Sequence, residues 1–313
     1  MPDRRFETAA VIGTGMMGPG IAMTLALGGI GATIVSRTEE GWRKGVEKAK
    51  AQLRLLEENG LVAGERAKRA EGLLAATGDF DAAIAAADLV VESAPEDLEF
   101  KQELFAKMDA IAKPDAVLAS NTSGLSITAI ASRCTRPERV ITTHFWNPPH
   151  LMPLVEIVLG EKTDRTMAED LRQALTDCGK VAVMVNKDTP GQLGNRLQMA
   201  LVREAIHIVE AGIADVEAVD AVAKNGFGLR LPVYGIFEHQ DVVGLDMGLG
   251  IVDYVSRDLY SEPRAPQLMR DKVSRGEVGA KAGRGFYDWS RKSVDEVKAL
   301  RDRFVLEVVK HWR

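Results

Sequence analysis

The segment TAAVIGTGMMGPG, residues 8–20, joins an apolar β-branched run to a glycine-rich turn and the start of an apolar helical segment. The run predicts a buried strand, and the turn has the spacing G-x-G-x-x-G. The first glycine permits a tight turn, the second lets a pyrophosphate approach the backbone, and the third allows close helix–strand packing. The predicted dinucleotide contacts in this turn are Gly13, Gly15, Met16, Met17 and Gly18.

The end of the next predicted strand, residues 32–36, bears on cofactor choice. NAD enzymes of this architecture usually carry Asp or Glu there, which accepts the ribose 2′-hydroxyl. This chain has Ser36 and Arg37 instead, and a guanidinium suits a 2′-phosphate. The strand end therefore favours NADP, with the alternative that Glu39 or Glu40 takes over the ribose contact.

Strands and helices alternate along the chain up to about residue 187, which predicts a parallel sheet with right-handed crossovers. The predicted strands after the second are 88–94, 116–122, 139–145, 154–160 and 180–186. Two predicted helices, 40–58 and 64–76, form a hairpin where a plain doubly wound fold has a short crossover. Beyond residue 188 the pattern is helical, so we predict two domains, 1–187 and 188–313.

Composition excludes several function classes. The 313 residues carry a net charge of −5 with a pI of about 5.7, so a nucleic-acid partner is not expected. Residues 9–35 lack charges, but seven glycines and a proline interrupt them, which argues against a membrane span. Two separated cysteines, no metal-ligand spacing and no signal peptide predict a cytoplasmic protein without a metal.

The segment HFWNPPHLMPLVEI, residues 144–157, places one of only five histidines at the end of a predicted strand. His144 has two readings: a core histidine, or a general base oriented by the carboxylate of Glu156. Ligands bind beyond the carboxyl ends of strands in open parallel sheets. Ser123, at the end of the preceding strand, is therefore expected to lie with His144 at the nicotinamide end of the cofactor.

These segments together resemble the L-3-hydroxyacyl-CoA dehydrogenases. The likeness covers nearly the whole chain, including VESAPEDLEFK, SNTSGLSI, HFWNPP, LVEI, DTPG, NRL and KAGRGFY. It implies an α/β Rossmann-type doubly wound sheet with a helical hairpin insertion, an all-α C-terminal domain, a homodimer formed through that domain, and NAD as cofactor. The catalytic residues that it implies are His144, Glu156, Ser123 and Asn195. Its further cofactor contacts are Glu96, Lys101, Asn147 and Lys281, and Asn147 is also a candidate substrate contact.

The chain departs from the family where an acyl chain would pass. Gln192, Leu193 and Gly194 replace the usual aromatic and branched residues, and NGFGLRLP replaces a Gly-Tyr-Pro-Met-Gly-Pro pattern. The leading hypothesis is an NAD(P)-dependent 3-hydroxyacyl-CoA dehydrogenase for short chains. The alternative is a dehydrogenase of a free hydroxy acid, of the gulonate, carnitine or aromatic-carboxylate type, with Arg230 pairing the carboxylate. A nucleotide-binding sensor without turnover is a third possibility.

Overall fold

A computed structural model describes residues 5–312, without the side chain of Trp312. The chain divides into two compact units. The first contains the chain up to Asn195 together with the residues from Leu300 onward, and the second contains Arg196–Ala299. This division differs from the predicted boundary after Lys187, because residues 188–195 and the end of the C-terminal helix belong with the sheet.

The first unit is built on an eight-stranded sheet. Its strands are β1 (Thr8–Ile12), β2 (Gly31–Val35), β3 (Leu74–Thr77), β4 (Leu89–Glu92), β5 (Val117–Ser120), β6 (Val140–Phe145), β7 (Leu154–Leu159) and β8 (Val181–Val185). Their spatial order is β3-β2-β1-β4-β5-β6-β7-β8. The strand order reverses between β1 and β4, which is where a doubly wound sheet opens a crevice for a ligand.

Fourteen α-helices are present in the described chain. They are α1 (Gly18–Leu27), α2 (Glu39–Glu58), α3 (Gly64–Gly72), α4 (Phe80–Ala86), α5 (Leu98–Ile111), α6 (Ile127–Ile130), α7 (Arg165–Asp177), α8 (Gly194–Glu210), α9 (Val216–Asn225), α10 (Phe227–Arg230), α11 (Ile236–Val243), α12 (Leu245–Val255), α13 (Gln267–Ser274) and α14 (Val294–Trp312). The Rossmann-type sheet and the helical second region confirm the predicted fold class.

Two details of the sheet correct the sequence-based prediction. The predicted helix 64–76 ends at Gly72, and residues 74–77 form the edge strand β3, which pairs in parallel with β2. In addition, β7 pairs antiparallel with β6, so the sheet is mixed. The connection from Phe145 to Leu154 is too short for a parallel crossover, which needs a dozen or more residues.

The predicted helical hairpin is present as α2 and α3. Thr38 accepts a hydrogen bond from the Gly41 amide and thereby caps α2, whose apolar positions Ala49, Leu53 and Leu56 are buried in the core of the first unit. Apolar residues at this spacing form one face of a helix, so the insertion is an integral layer of the domain.

The second unit leaves much apolar surface uncovered. Helices α9, α10 and α11 contain no buried residue, and Phe237 and Val233 are 85% and 82% exposed. Helix α14 behaves differently, because Leu306 and Val309 near its end are buried and Leu306 joins the core of the first unit. The C-terminal part of α14 therefore buries apolar residues within the chain, although Phe304 in the same helix is 56% exposed.

Among residues 5–312, no helix is both long and apolar enough to cross a membrane. Cys134 is a half-buried free thiol, and Cys178 is buried in the core of the first unit.

Candidate active site

The glycine turn after β1 has the geometry that a dinucleotide site requires. Gly13 adopts a φ of 108°, and a Cβ there would collide with the carbonyl of Ser93. A Cβ on Gly15, by contrast, would meet nothing within 4 Å, so the backbone there is open to a ligand. Helix α1 begins at Gly18, and its N-terminus points its amides toward the turn. These residues fit an NAD(P) pyrophosphate. Met16 is exposed beside them, and Met17 packs partly against the core.

The end of β2 presents Ser36 and Arg37 next to α2. The Ser36 hydroxyl faces Gly41 in the first turn of that helix, and the Arg37 side chain is exposed. Glu39 and Glu40 pair along the helix with Arg43 and Lys44, respectively. The carboxylates that could have replaced the missing acidic residue thus already have cationic partners, although exposed pairs of this kind are weak.

His144 and Glu156 face each other across the antiparallel pair β6–β7. They are register partners, which places both side chains on the same face of the sheet. His144 Nδ1 lies 2.8 Å from Glu156 Oε2, and Glu156 is 1% exposed. Although they are twelve residues apart in the sequence, His144 and Glu156 are therefore in direct contact across the two strands.

Glu156 accepts three further hydrogen bonds. Trp146 Nε1 donates to Oε2 at 3.0 Å, and the amides of Leu193 and Gly194 donate to Oε1 at 3.0 and 2.8 Å. Burial alone would raise the pKa of Glu156, but the hydrogen bonds from His144, Gly194, Trp146 and Leu193 outweigh burial and lower the pKa to about 2. The carboxylate is consequently ionised at neutral pH.

The turn after β5 carries Ser123, whose side chain is exposed. Its amide donates to Glu96 Oε1 at 3.0 Å, and its carbonyl accepts from Asn195 Nδ2 at 2.9 Å. The Thr122 hydroxyl also donates to Glu96, at 2.5 Å. Burial raises the pKa of Glu96, but Thr122, the charge of Lys101 and the amides of Ser123 and Gly124 outweigh it and lower the pKa.

Lys101, a predicted cofactor contact, is fully buried. Its ammonium lies 2.6 Å from Glu92 Oε1 and 3.6 Å from Glu96 Oε2. Glu92 also accepts from the Ser120 hydroxyl at 2.6 Å. This network lies beneath the site and connects β4, α5 and β5, so Lys101 reaches the site residues through Glu96.

The other predicted residues divide between the two units. Asn147 is exposed just after β6 in the first unit. Arg230, at the end of α10, and Lys281, in a short 3-10 helix, are exposed in the second unit. Their assignments to substrate and cofactor stay predictions. The sequence does not predict the roles of Trp146 and of the amides of residues 193 and 194. Backbone donors have no side-chain signature, and Trp146 stands in the HFWNPP motif without a role of its own.

Family models match both parts of the chain. Residues 8–189 match the 3-hydroxyacyl-CoA dehydrogenase NAD-binding domain, and residues 191–289 match the C-terminal domain of the same family. A probable 3-hydroxybutyryl-CoA dehydrogenase of Bacillus subtilis is 37% identical over 284 residues, covering 90% of this chain and 97% of the relative.

A second relative has a substrate that is not a thioester. The 5-formyl-3-hydroxy-2-methylpyridine 4-carboxylate 5-dehydrogenase of Mesorhizobium japonicum is 32% identical over 300 residues, covering 96% of both chains. A crystal structure of an enzyme with that activity, an NAD⁺-dependent dismutase, matches with a TM-score of 0.89 and 30% identity over 97% of both chains. On this sequence and structural similarity, the chain belongs to the 3-hydroxyacyl-CoA dehydrogenase family and is an oxidoreductase with an NAD(P)-binding domain that acts on hydroxyl groups.

Proposed function

We propose that His144 is the general base of an NAD(P)-dependent dehydrogenase and that Glu156 orients it. The observation that carries this proposal is the 2.8 Å contact between His144 Nδ1 and Glu156 Oε2. Because Glu156 is ionised and can only accept hydrogen bonds, the proton of a neutral His144 resides on Nδ1. The Nε2 lone pair is then left to take the proton of a substrate hydroxyl.

Glu156 also stabilises the imidazolium that forms when His144 takes this proton. A buried carboxylate with four donors holds its charge without rearrangement during the reaction. We propose that the Ser123 hydroxyl and the Asn195 amide hold the reacting substrate oxygen. The nicotinamide, when bound, supplies the hydride acceptor.

For the cofactor, we propose a preference for NADP over NAD. Support comes from the exposed guanidinium of Arg37 and from Ser36, which replaces a carboxylate that would repel a 2′-phosphate. The pairing of Glu39 with Arg43 and of Glu40 with Lys44 also supports it.

For the substrate, we propose a free carboxylic acid bearing a hydroxyl or carbonyl group. Structural similarity supports this choice, because the pyridine-carboxylate enzyme matches this chain with a TM-score of 0.89 over 97% of its length. The pyridine-carboxylate relative covers 96% of this chain, whereas the B. subtilis relative covers 90% of it despite being matched over 97% of its own length. In this reading Arg230 pairs with the substrate carboxylate.

A short-chain 3-hydroxyacyl-CoA is the second candidate substrate. It is favoured by the 37% identity to the B. subtilis relative and by the retained helical hairpin α2–α3. The two candidates are separated by following NAD(P)H formation by purified protein with 3-hydroxyacyl-CoA thioesters and with the matching free hydroxy acids and pyridine carboxylates. We expect turnover with free acids. Turnover restricted to thioesters selects the second candidate, and turnover with neither class rejects the proposed function.

We also propose that the chain forms a homodimer through α10–α12. Phe237, Val242 and Tyr254 are among the most exposed apolar residues of the described chain. So many large apolar side chains exposed in one segment favour an interface, and two copies of the chain would bury them.

A further inference from the structure

Gln192 occupies a strained position in the turn that leads into α8. It has a φ of 54° and is the only non-glycine residue with a positive φ in the described chain. It is also 4% exposed. A left-handed conformation is sterically unfavourable for a residue other than glycine, and such strain tends to persist at functional sites.

The backbone of Gln192 determines where the next two amides point. The turn is closed by a hydrogen bond from the backbone N–H of Gln192 to the backbone carbonyl of Thr189, at 3.0 Å. The following amides, of Leu193 and Gly194, then donate to Glu156 Oε1. The left-handed residue therefore stands immediately before two of the four donors that keep Glu156 ionised.

The side chain of Gln192 makes a separate connection. Its Nε2 donates to the carbonyl of Thr122 at 2.9 Å, whereas its Oε1 is buried without a hydrogen-bond partner among the described residues. Turning the amide over would place Oε1 against the Thr122 carbonyl, and two acceptors repel, so the orientation is fixed. An apolar side chain would avoid the cost of the unpaired oxygen, so packing alone does not account for an amide here.

We infer that Gln192 is a positioning residue, which fixes the Ser123 turn relative to the His144–Glu156 pair. Its amide holds the carbonyl of Thr122, immediately before Ser123, while Asn195 holds the carbonyl of Ser123 itself. Glu96 holds the same turn from its amide side. This role rests on the proposed function, in which Ser123 holds the substrate oxygen.

Gln192→Met tests the inference, because it keeps the length of the side chain and the backbone strain but removes the amide donor. The control is Gln102→Met, since Gln102 makes a comparable bond to the Ala129 carbonyl at 2.9 Å, away from the site. A lost side-chain bond that leaves a buried carbonyl unpaired is expected to lower kcat/KM about tenfold in Gln192→Met. Gln102→Met should change it less than twofold.

A double-mutant cycle with Ser123→Ala shows whether Gln192 acts through Ser123. We expect Gln192→Met to lower kcat/KM less than twofold when Ser123 is already replaced, with cofactor affinity unchanged. Equal losses in the two backgrounds, or no loss in the wild-type background, would overturn the inference while leaving the proposed function intact.

A measurement without turnover keeps the inference testable if the wild type accepts neither substrate class. Hydrogen exchange at the amides of Ser123 and Gly124 should be faster in Gln192→Met than in the wild type and unchanged in Gln102→Met. Unchanged exchange in Gln192→Met would show that the amide does not hold the turn.

Discussion

Around Glu156, the chain supplies every partner that the side chain needs: one imidazole, one indole and two backbone amides, all within the first unit. Residues 227–255 of the second unit show the opposite condition, because their helices expose Phe237, Val242 and Leu245 to solvent. A buried charge is tolerated only when hydrogen bonds or opposite charges pair it. A large exposed apolar surface commonly marks a contact with another molecule. The first region is therefore complete in a single chain, whereas we propose that the second is completed by another copy.

The largest expected effect concerns the hydrogen bonds around Glu156. In Glu156→Gln, the backbone N–H groups of Leu193 and Gly194 still require the side-chain oxygen as their acceptor. The side-chain NH₂ group of Gln therefore faces His144 Nδ1. It would donate there, place the imidazole proton on Nε2 and remove the base. We expect kcat to fall by roughly 10²–10⁴-fold.

Stopped-flow measurement of hydride transfer, with cofactor affinity measured in parallel, checks this expectation. Glu169→Gln is a matched control, because Glu169 is exposed on α7 and pairs with Arg172 on the same helix. If Glu156→Gln turned over like this control, the carboxylate would not orient the base.

The proposed dimer contact through residues 227–255 is tested by Phe237→Glu. A charge at this exposed apolar position should oppose burial of the helices in an interface and convert a dimer into a monomer. Sedimentation velocity at micromolar concentration measures the change, and Phe100→Glu, which alters an exposed phenylalanine on α5 of the first unit, should remain dimeric. A monomeric wild type would mean that no second copy covers α10–α12.

Cofactor choice is expected to give a smaller effect. Arg37 can add a charge-assisted hydrogen bond worth roughly 1.5–3 kcal/mol, or about 10–100-fold in affinity. The wild type should therefore prefer NADPH in kcat/KM, and the double variant Ser36→Asp, Arg37→Ala should prefer NADH. Titration of both reduced cofactors against both proteins decides the point, and a tenfold preference of the wild type for NADH would refute the assignment.

The smallest effect is a dependence of stability on acid. Since the pKa of Glu156 is about 2 in the folded chain and 4.5 ordinarily, its contribution to stability is complete above pH 4.5 and is lost as the pH falls toward 2. The Tm of the wild type should fall more steeply across this interval than that of Glu156→Gln. Parallel Tm curves for the two proteins would show that the carboxylate is not held ionised by the fold.

The sequence predicts those features of the structure that depend on a recognisable pattern of side chains. The Gly13–Gly18 turn and the apolar runs predict the sheet, and the motif of residues 144–157 predicts His144 and Glu156 as a pair. The expectation of a parallel sheet misses the antiparallel register that brings the two side chains together. The sequence predicts the edge strand LAAT as helix, because a leucine and three small residues that continue a helical segment show no alternation of apolar and polar positions. The amides of Leu193 and Gly194 could not be predicted as partners of Glu156, since the turn at Gln192 aims them across 37 and 38 residues of sequence.

The most direct test of the central claim is single-turnover hydride transfer by His144→Gln with saturating cofactor. The hydrogen bond of His144 is made with Glu156 and not with the glycine turn. The Kd of the reduced cofactor should therefore stay within about twofold of the wild-type value, a change in binding free energy of less than about 0.5 kcal/mol. The rate of hydride transfer should fall by roughly 10²–10⁴-fold, the usual contribution of a positioned acid–base group. Transfer at a rate near that of the wild type would contradict the account and leave His144 as a core histidine.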